Sequence, residues 1–393
     1  MPDNGPSAPL PQQPVAHGGA VPGMPPVFPA QHHAPEPLPP PVPPAPPVIV
    51  APQKMRVLHT AADEAYDIVG QVGEGTYGQV YKAVSERSGV LVALKKIRME
   101  AEKEGFPVTS MREIKLLQGL RHENVVRLHE LMTSRTGSVY MVFEYVEHDL
   151  SGLLSHPAVA FTPAHLKSLA YQLLSGLAYL HKRSVLHRDL KSSNLLLSNA
   201  GELKLADFGL ARTYFKRRKG DYTNRVVTLW YRAPELLLGA TQYGPAVDTW
   251  GAGCLFLELF SRRPIFQGHD ELHQLHVLKS LLGPLDTASW PDAASLPWFE
   301  LLREPNTSDT HAGAPDAFSE RYADLVSPAA LSLARSLLRY DPRERLSASD
   351  ALSHEYFTSE LPVAEKPADV LKSLGGEWHE MASKRWRKTR RGT

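Results

Sequence analysis

Cysteine is nearly missing from this chain: Cys254 is the only one in 393 residues. No intrachain disulfide can form, so the fold must rest on packing and polar contacts, and a reducing compartment is expected. Long apolar runs are missing too. No stretch of about 18 apolar residues occurs, which argues against a membrane-spanning helix. The first residues lack the basic and apolar regions of a secretory signal, so none is expected. An excess of one charge is also missing. Lys and Arg number 43 and Asp and Glu 42, a net +1, so no global charge recruits nucleic acid or a membrane surface.

The first 55 residues carry little charge: only Asp3 and Glu36 are charged before Lys54. They hold 19 of the 34 prolines. Proline removes a backbone donor and fixes φ, so this segment builds neither helix nor sheet. It is expected to be disordered, with polyproline II character from Pro37 to Pro47. Two readings stay open: a ligand for proline-recognising modules, or a solvated tail.

What remains has ordinary globular composition, 42% apolar, and suffices for two domains or one large bilobal one. Order begins near Tyr66 with a strand to Gly73, and a second strand ends near Ser85. Between their cores lie Gly73, Glu74, Gly75, Thr76, Tyr77, Gly78, Gln79 and Val80. This G-x-G-x-x-G-x-V joins two strands, which argues for a hairpin lid over phosphates and against the strand-to-helix turn of a dinucleotide site. Glycine is needed because backbone N–H groups must approach phosphate oxygens closely. The run 91–97 contains Val92-Ala93-Leu94-Lys95, a strand with Lys95 and Lys96 on opposite faces. A helix follows Pro107, with Met111, Ile114 and Leu117 at helical spacing and Glu113 beside them. Val139 to Glu144 is a further strand. Thr162-Pro163 is an N-cap with proline at N1, opening a long leucine-rich helix that ends near Lys182. After it come His187-Arg188-Asp189, Lys191, Asn194, Asp207-Phe208-Gly209 and Ala233-Pro234-Glu235. A helix opens at Asp248-Thr249-Trp250-Gly251 and buries Cys254 as an inert thiol.

These motifs, in this order, resemble the protein kinases. The stretch 105–114, Gly-Phe-Pro-Val-Thr-Ser-Met-Arg-Glu-Ile, resembles the signature helix of the cyclin-dependent kinases, transcriptional branch, which phosphorylate the C-terminal domain of RNA polymerase II. Val108 and Met111 stand where that pattern usually has Ile, and both keep apolar packing. Ala233 is a second departure, since transcriptional members often have Pro-Pro-Glu there.

The resemblance implies an α+β, bilobal protein kinase fold over residues 66–357. A small β-rich N-lobe with one helix would cover about 66–144 and a large, mostly helical C-lobe about 150–357. Residues 358–393 would be a C-terminal tail ending in a basic cluster at 384–391, read as a nuclear import signal, a nucleic-acid patch or a solvated end; similar tails on related kinases lie near the nucleotide and would influence its release.

It also implies a site for ATP and Mg2+. Val72, Gly73, Glu74, Gly75, Thr76, Tyr77, Gly78, Gln79, Val80 and Ala93 would cover the nucleotide. Lys95, ion-paired to Glu113, would point at its phosphates. Phe143 would be the gatekeeper, and Glu144 and Val146 would offer backbone groups to adenine. Asp149 stands where the family contacts the ribose, and equally where it would cap the next helix. Asp189 would be the catalytic base and Lys191 would stabilise charge on the transferring phosphate. Asn194 and Asp207 would hold Mg2+ through oxygen, as suits a hard cation.

Arg112, Arg188 and Arg212 match the arginines gathered around a phosphothreonine, here Thr223. Val226 and Val227 match the pocket accepting proline after the target Ser or Thr. Thr76 and Tyr77 match inhibitory phosphosites of cell-cycle relatives. Glu235 and Arg345 match a buried ion pair. The implied partners are a cyclin, the polymerase tail as substrate, an activating kinase for Thr223 and a nuclear import receptor; no membrane is involved. The expected function is a nuclear, cyclin-dependent Ser/Thr kinase acting on Ser-Pro sites of the polymerase tail in transcription elongation. A cell-cycle or elongation-factor kinase of the same fold and a scaffold working through its two tails are the alternatives.

Overall fold

Period-two patterning builds the first half of the ordered chain. The computed structural model describes residues 57–58, 66–75, 78–98, 107–134, 137–214, 222–302 and 316–380. The chain divides into two units, residues 1–51 and 52–393, and every described residue lies in the second. The proline-rich head, Thr76, Tyr77, Gly105, Phe106, the basic run Lys216-Arg217-Arg218-Lys219 and the basic end 384–391 lie outside the described residues.

Strands β1 (Val57–Leu58), β2 (Tyr66–Gly75), β3 (Gly78–Ser85), β4 (Leu91–Lys96), β5 (Leu128–Thr133) and β6 (Val139–Glu144) form one sheet in the order β1-β5-β6-β4-β3-β2. Every neighbouring pair is antiparallel except β1 and β5. Alternation along β4 sorts its side chains. Val92 and Leu94 join Tyr66, Ala83, Met132 and Val142 in a small core, while Ala93 and Lys95 turn to the opposite face and line a cleft. At the β2–β3 hairpin Gly78 has φ +144°, and a Cβ there would strike the Lys96 carbonyl. Only glycine fits.

Helix α1 (Val108–Gly119) follows Pro107 and buries Glu113, Ile114 and Leu117. Met111 does not join that face: it is 43% exposed, as is Val108 at 63%. The inward face is instead centred on Glu113, a polar residue that amphipathic patterning would assign to solvent.

The larger lobe is organised around two buried helices. After α2 (Leu150–Leu154) comes α3 (Pro163–Lys182), with Thr162 accepting the His165 amide and His165 reaching back to the Thr162 amide. Leu166, Leu169, Leu173, Leu174, Leu177 and Leu180 of α3 are all buried, each contributing about 2 kcal/mol by removal from water. Helices α4 (Pro234–Leu237) and α5 (Ala246–Ser261) follow, and α5 is buried nearly throughout. Trp250 of α5 stacks between Phe266 and Tyr340. Helices α6 (Glu271–Leu282), α7 (Ala317–Tyr322), α8 (Pro328–Leu337), α9 (Ala348–Ala351), α10 (Glu355–Thr358) and α11 (Ala368–Ser373) complete the lobe. No helix among the described residues is long and apolar enough to cross a membrane.

Two small ribbons set the loops that matter. β7 (His148–Asp149), β9 (Leu195–Leu197) and β10 (Leu203–Leu205) make a three-stranded sheet, and β8 (Val185–Leu186) pairs with β11 (Arg212–Thr213). The β8–β11 pairing puts Arg212 opposite Leu186, one residue before His187.

Candidate active site

The cleft between the six-stranded sheet and the helical lobe has a volume of about 310 Å³. Its apolar walls are Val72, Val80, Ala93, Val126, Phe143 and Leu196, a slot for a flat apolar ring. Its polar end holds Lys95, Glu113, Asp149, Lys191, Asn194 and Asp207.

Lys95 is the centre of that end. Its Nζ donates to Glu113 Oε1 at 2.9 Å and to Asp207 Oδ1 at 3.0 Å. Burial alone would lower the ammonium, but Asp207 and Glu113 hold it above its usual range. The two carboxylates diverge. Glu113, 2% exposed, is pushed up by burial despite Lys95. Asp207 is also penalised by burial, yet Lys95, Lys191 and His187 hold it below the usual carboxylate range. Asp207 therefore stays ionised, as a cation ligand must be. Asp207 also has φ +61°, and the next residue, Phe208, is buried against His187 at a ring distance of 5.0 Å.

Asp189 sits in a loop fixed from behind by Asp248. Asp248 accepts the amides of His187 and Arg188 at 2.9 Å each, and His181 Nε2 lies 3.0 Å away. Burial would raise Asp248, but the His181 and His187 interactions and the Arg188 amide hold it low. The Asp189 carboxylate accepts from Lys191 Nζ at 3.0 Å, Asn194 Nδ2 at 3.0 Å and Thr228 Oγ1 at 3.2 Å. Asn194 Nδ2 also donates to the Asp189 carbonyl at 2.7 Å. With its nitrogen so committed, Asn194 keeps in Oδ1 an oxygen of the kind that suits a hard cation.

Val226 and Val227 are buried, and Val227 has φ +66°. Arg232 holds both carbonyls, donating Nε to Val226 at 3.0 Å and Nη2 to Val227 at 3.1 Å. Both carbonyls are thus turned toward the Arg232 guanidinium. Far below, Arg345 grips Glu235 with two bonds of 2.8 and 3.0 Å, both side chains buried. Cys254 is buried, which pushes its thiol up and keeps it unreactive.

Of the residues singled out for the nucleotide, Val72, Gly73, Glu74, Gly78, Val80, Ala93, Lys95, Glu113, Phe143, Glu144, Val146 and Asp149 line the cleft. Gln79 does not: period two turns it away between Gly78 and Val80, and it accepts from Tyr81. The Asp149 carboxylate caps α2 through the Gly152 amide at 2.7 Å and accepts the Glu380 amide at 2.6 Å. Glu144 is held by the Arg127 amide and Lys204.

Val126, Tyr145, Ser193, Leu196, Ala206, His379 and Glu380 also line the cleft, and sequence motifs did not pick them out. His379 and Glu380 arrive on the tail, which folds back after α11. The Trp378 carbonyl accepts the Asp149 amide at 3.1 Å. Glu377 pairs with Lys82 and accepts from Tyr145, contacts that hold its carboxyl low against the pull of burial.

A family profile described as "Protein kinase domain" matches residues 66–357. The chain belongs to the protein kinase family. It is 52% identical over 333 residues to the CTD kinase subunit alpha of Schizosaccharomyces pombe, covering 85% of this chain and 55% of that one. It is 47% identical over 322 residues to the CTD kinase subunit alpha of Saccharomyces cerevisiae, covering 82% and 59%. The chain thus spans a little over half the length of these curated relatives. The crystal structure of the yeast RNA Pol II CTD kinase CTDK-1 complex superposes with a TM-score of 0.72 at 45% identity, covering 79% of this chain and 98% of that one.

Kinases of this family use Mg·ATP, and the residues present fit it. Among the described residues no group of three or more His, Cys, Asp or Glu could hold a metal by itself. Asp207 with Asn194 would instead supply the sparse oxygen set that suits Mg2+ when phosphates complete its shell.

Proposed function

We propose that this chain is a cyclin-dependent Ser/Thr kinase that transfers the ATP γ-phosphate to Ser-Pro sites of the RNA polymerase II C-terminal domain, in support of transcription elongation. The observation that carries the chemistry is Lys95 held between Glu113 and Asp207 in the same cleft as Asp189 and Asn194. Mg2+ at Asn194 and Asp207 would neutralise charge on the phosphates. Lys95 orients them, Asp189 accepts the substrate hydroxyl proton, and Lys191 stabilises charge on the moving group. The valine carbonyls held by Arg232 support the proline requirement, and the names of the fungal relatives support the polymerase tail as substrate.

The cyclin would dock on the outer face of α1, where Val108 and Met111 present apolar surface on the same helix that carries Glu113. An activating kinase would modify Thr223, and the arginines Arg112, Arg188 and Arg212 would receive the phosphate. A transcription role places the protein in the nucleus, with the basic end 384–391 as the segment for an import receptor.

The test is to co-purify the chain with its partners and measure ATP-dependent phosphorylation of a polymerase-tail peptide against a histone peptide. Strong preference for the tail peptide, dependent on a co-purified cyclin, is the expected result. Equal use of the histone peptide would overturn the substrate assignment, and full activity of the isolated chain would overturn the cyclin requirement.

A further inference from the structure

Two of the three arginines proposed to receive phosphate already contact a tyrosine each. Arg188, 4% exposed, donates Nη1 to the Tyr243 hydroxyl at 2.9 Å and Nε to the Leu210 carbonyl at 2.8 Å. The Tyr243 hydroxyl donates onward to the Thr223 carbonyl at 2.7 Å. The Arg212 guanidinium lies 4.7 Å from the centre of the Tyr222 ring. Tyr222 packs on Tyr243 at 5.3 Å and 53°, and its amide donates to the Thr241 carbonyl at 2.7 Å. Arg112 differs: it is exposed on α1, and no described residue pairs with it.

These contacts close a circuit through the reaction centre. Arg188 immediately precedes Asp189, and its backbone is fixed by Asp248. Its side chain reaches Tyr243, and Tyr243 reaches the backbone of Thr223. Five residues on from Thr223, Thr228 returns to Asp189 through its hydroxyl at 3.2 Å. The segment carrying the proline-accepting valines is thereby tied at both ends to the loop of the catalytic base.

We propose that Tyr243 and Tyr222 are positioning residues: a hydroxyl and a ring that order residues 222–228 against the catalytic loop while Thr223 bears its plain hydroxyl. This rests on the kinase reading above. The link sets a basal activity. Phosphate on Thr223 then makes that activity independent of both tyrosines, because a guanidinium binds a phosphate dianion more strongly than a neutral phenol or an aromatic face. The phosphate thus replaces an existing tie and adds Arg112 to it. The two states differ in which group holds Arg188 and Arg212.

The test uses the full chain in complex with its cyclin, in two forms: Thr223→Ala, and phosphothreonine at 223. In the Thr223→Ala form, Tyr243→Phe lowers kcat by about tenfold, the effect of removing one hydrogen bond to a charged group, with the KM for ATP unchanged. In the phosphorylated form the same substitution leaves kcat unchanged. Tyr222→Ala lowers the Thr223→Ala form, and Tyr222→Phe, which keeps the ring, restores it. An equal loss in both forms marks a folding defect and overturns the proposal, as does no loss in the first. Hydrogen–deuterium exchange supplies a readout independent of catalysis. Tyr243→Phe speeds exchange of the 222–228 amides in the Thr223→Ala complex, and unchanged exchange overturns the link even if the kinase assignment stands. If the complex proves inactive on every peptide, the kinase reading fails, and exchange alone still decides the tyrosine link.

Discussion

Glu377, near the end of the described chain, accepts the Tyr145 hydroxyl at 2.7 Å and pairs with Lys82 of β3. One carboxylate therefore joins the tail to the small lobe's sheet and to the strip connecting the lobes. Burial and the Glu377 contact both push the Tyr145 hydroxyl up, so it stays a donor at any working pH. The neighbouring His379 and Glu380 stand in the wall of the cleft.

Removing residues 376–393 should weaken nucleotide binding more than catalysis. We expect the KM for ATP to rise about fivefold, equivalent to about 1 kcal/mol for lost polar contacts, with kcat little changed. Tyr145→Phe should give part of the same effect. Steady-state kinetics at saturating peptide measure both, and an unchanged KM on truncation would show that the tail does not contribute.

Lys95→Met removes the cation shared by Glu113 and Asp207. Activity should fall by about 10²–10³, the scale for losing one preorganised electrostatic contact to the transition state. Asp207→Asn should lose at least as much, because it removes the ionised oxygen ligand. Cyclin binding, measured by co-elution, should survive both changes, since neither residue is on the outer face of α1.

Arg232→Ala frees the carbonyls of Val226 and Val227. The preference for a Ser-Pro over a Ser-Ala peptide should fall by about tenfold, since a peptide N–H then finds an acceptor and the penalty of leaving it unmet disappears. The measurement is the ratio of kcat/KM for the two peptides, which a general loss of activity leaves unchanged.

Asp248→Asn should destabilise the protein most at neutral pH. The folded Asp248 carboxyl is held low by its His181 and backbone interactions, whereas the unfolded one titrates near about 4. A lowered folded value stabilises above the unfolded value, and that contribution is lost as pH falls through the folded one. The stability gap between wild type and variant should therefore be full above about pH 5 and shrink below about pH 4. Denaturant unfolding across that range measures it, and a gap constant with pH would assign the effect to shape.

Much of the site was legible because its logic is local. Alternation in 92–95 placed Lys95 on the cleft face, and Thr162-Pro163 marked where α3 begins. Asp189, Asn194 and Asp207 lie within one stretch whose spacing carries the signal. What escaped came from tertiary folding. Val126, Leu196 and Ala206 are ordinary apolar residues that reach the cleft from separate strands and turns. Met111 fits an apolar stripe, but α1 turns Glu113 inward to meet Lys95 and leaves Met111 in water. The tail reads as polar sequence: resemblance to related kinases points it toward the nucleotide, but nothing in its residues announces the individual partners more than two hundred residues away.

A Cβ at Gly152 would strike the Trp378 carbonyl, the same carbonyl that takes the Asp149 amide. The first turn of α2 is thus shaped around a strand of chain that follows the last residue of the family pattern, Phe357, by some twenty positions. A fragment cut at that family boundary would leave the Asp149 amide and half its carboxylate facing solvent, beside a notch fitted to nothing. A piece of this protein that keeps these contacts to Asp149 and fills the notch at Gly152 therefore runs at least to Glu380.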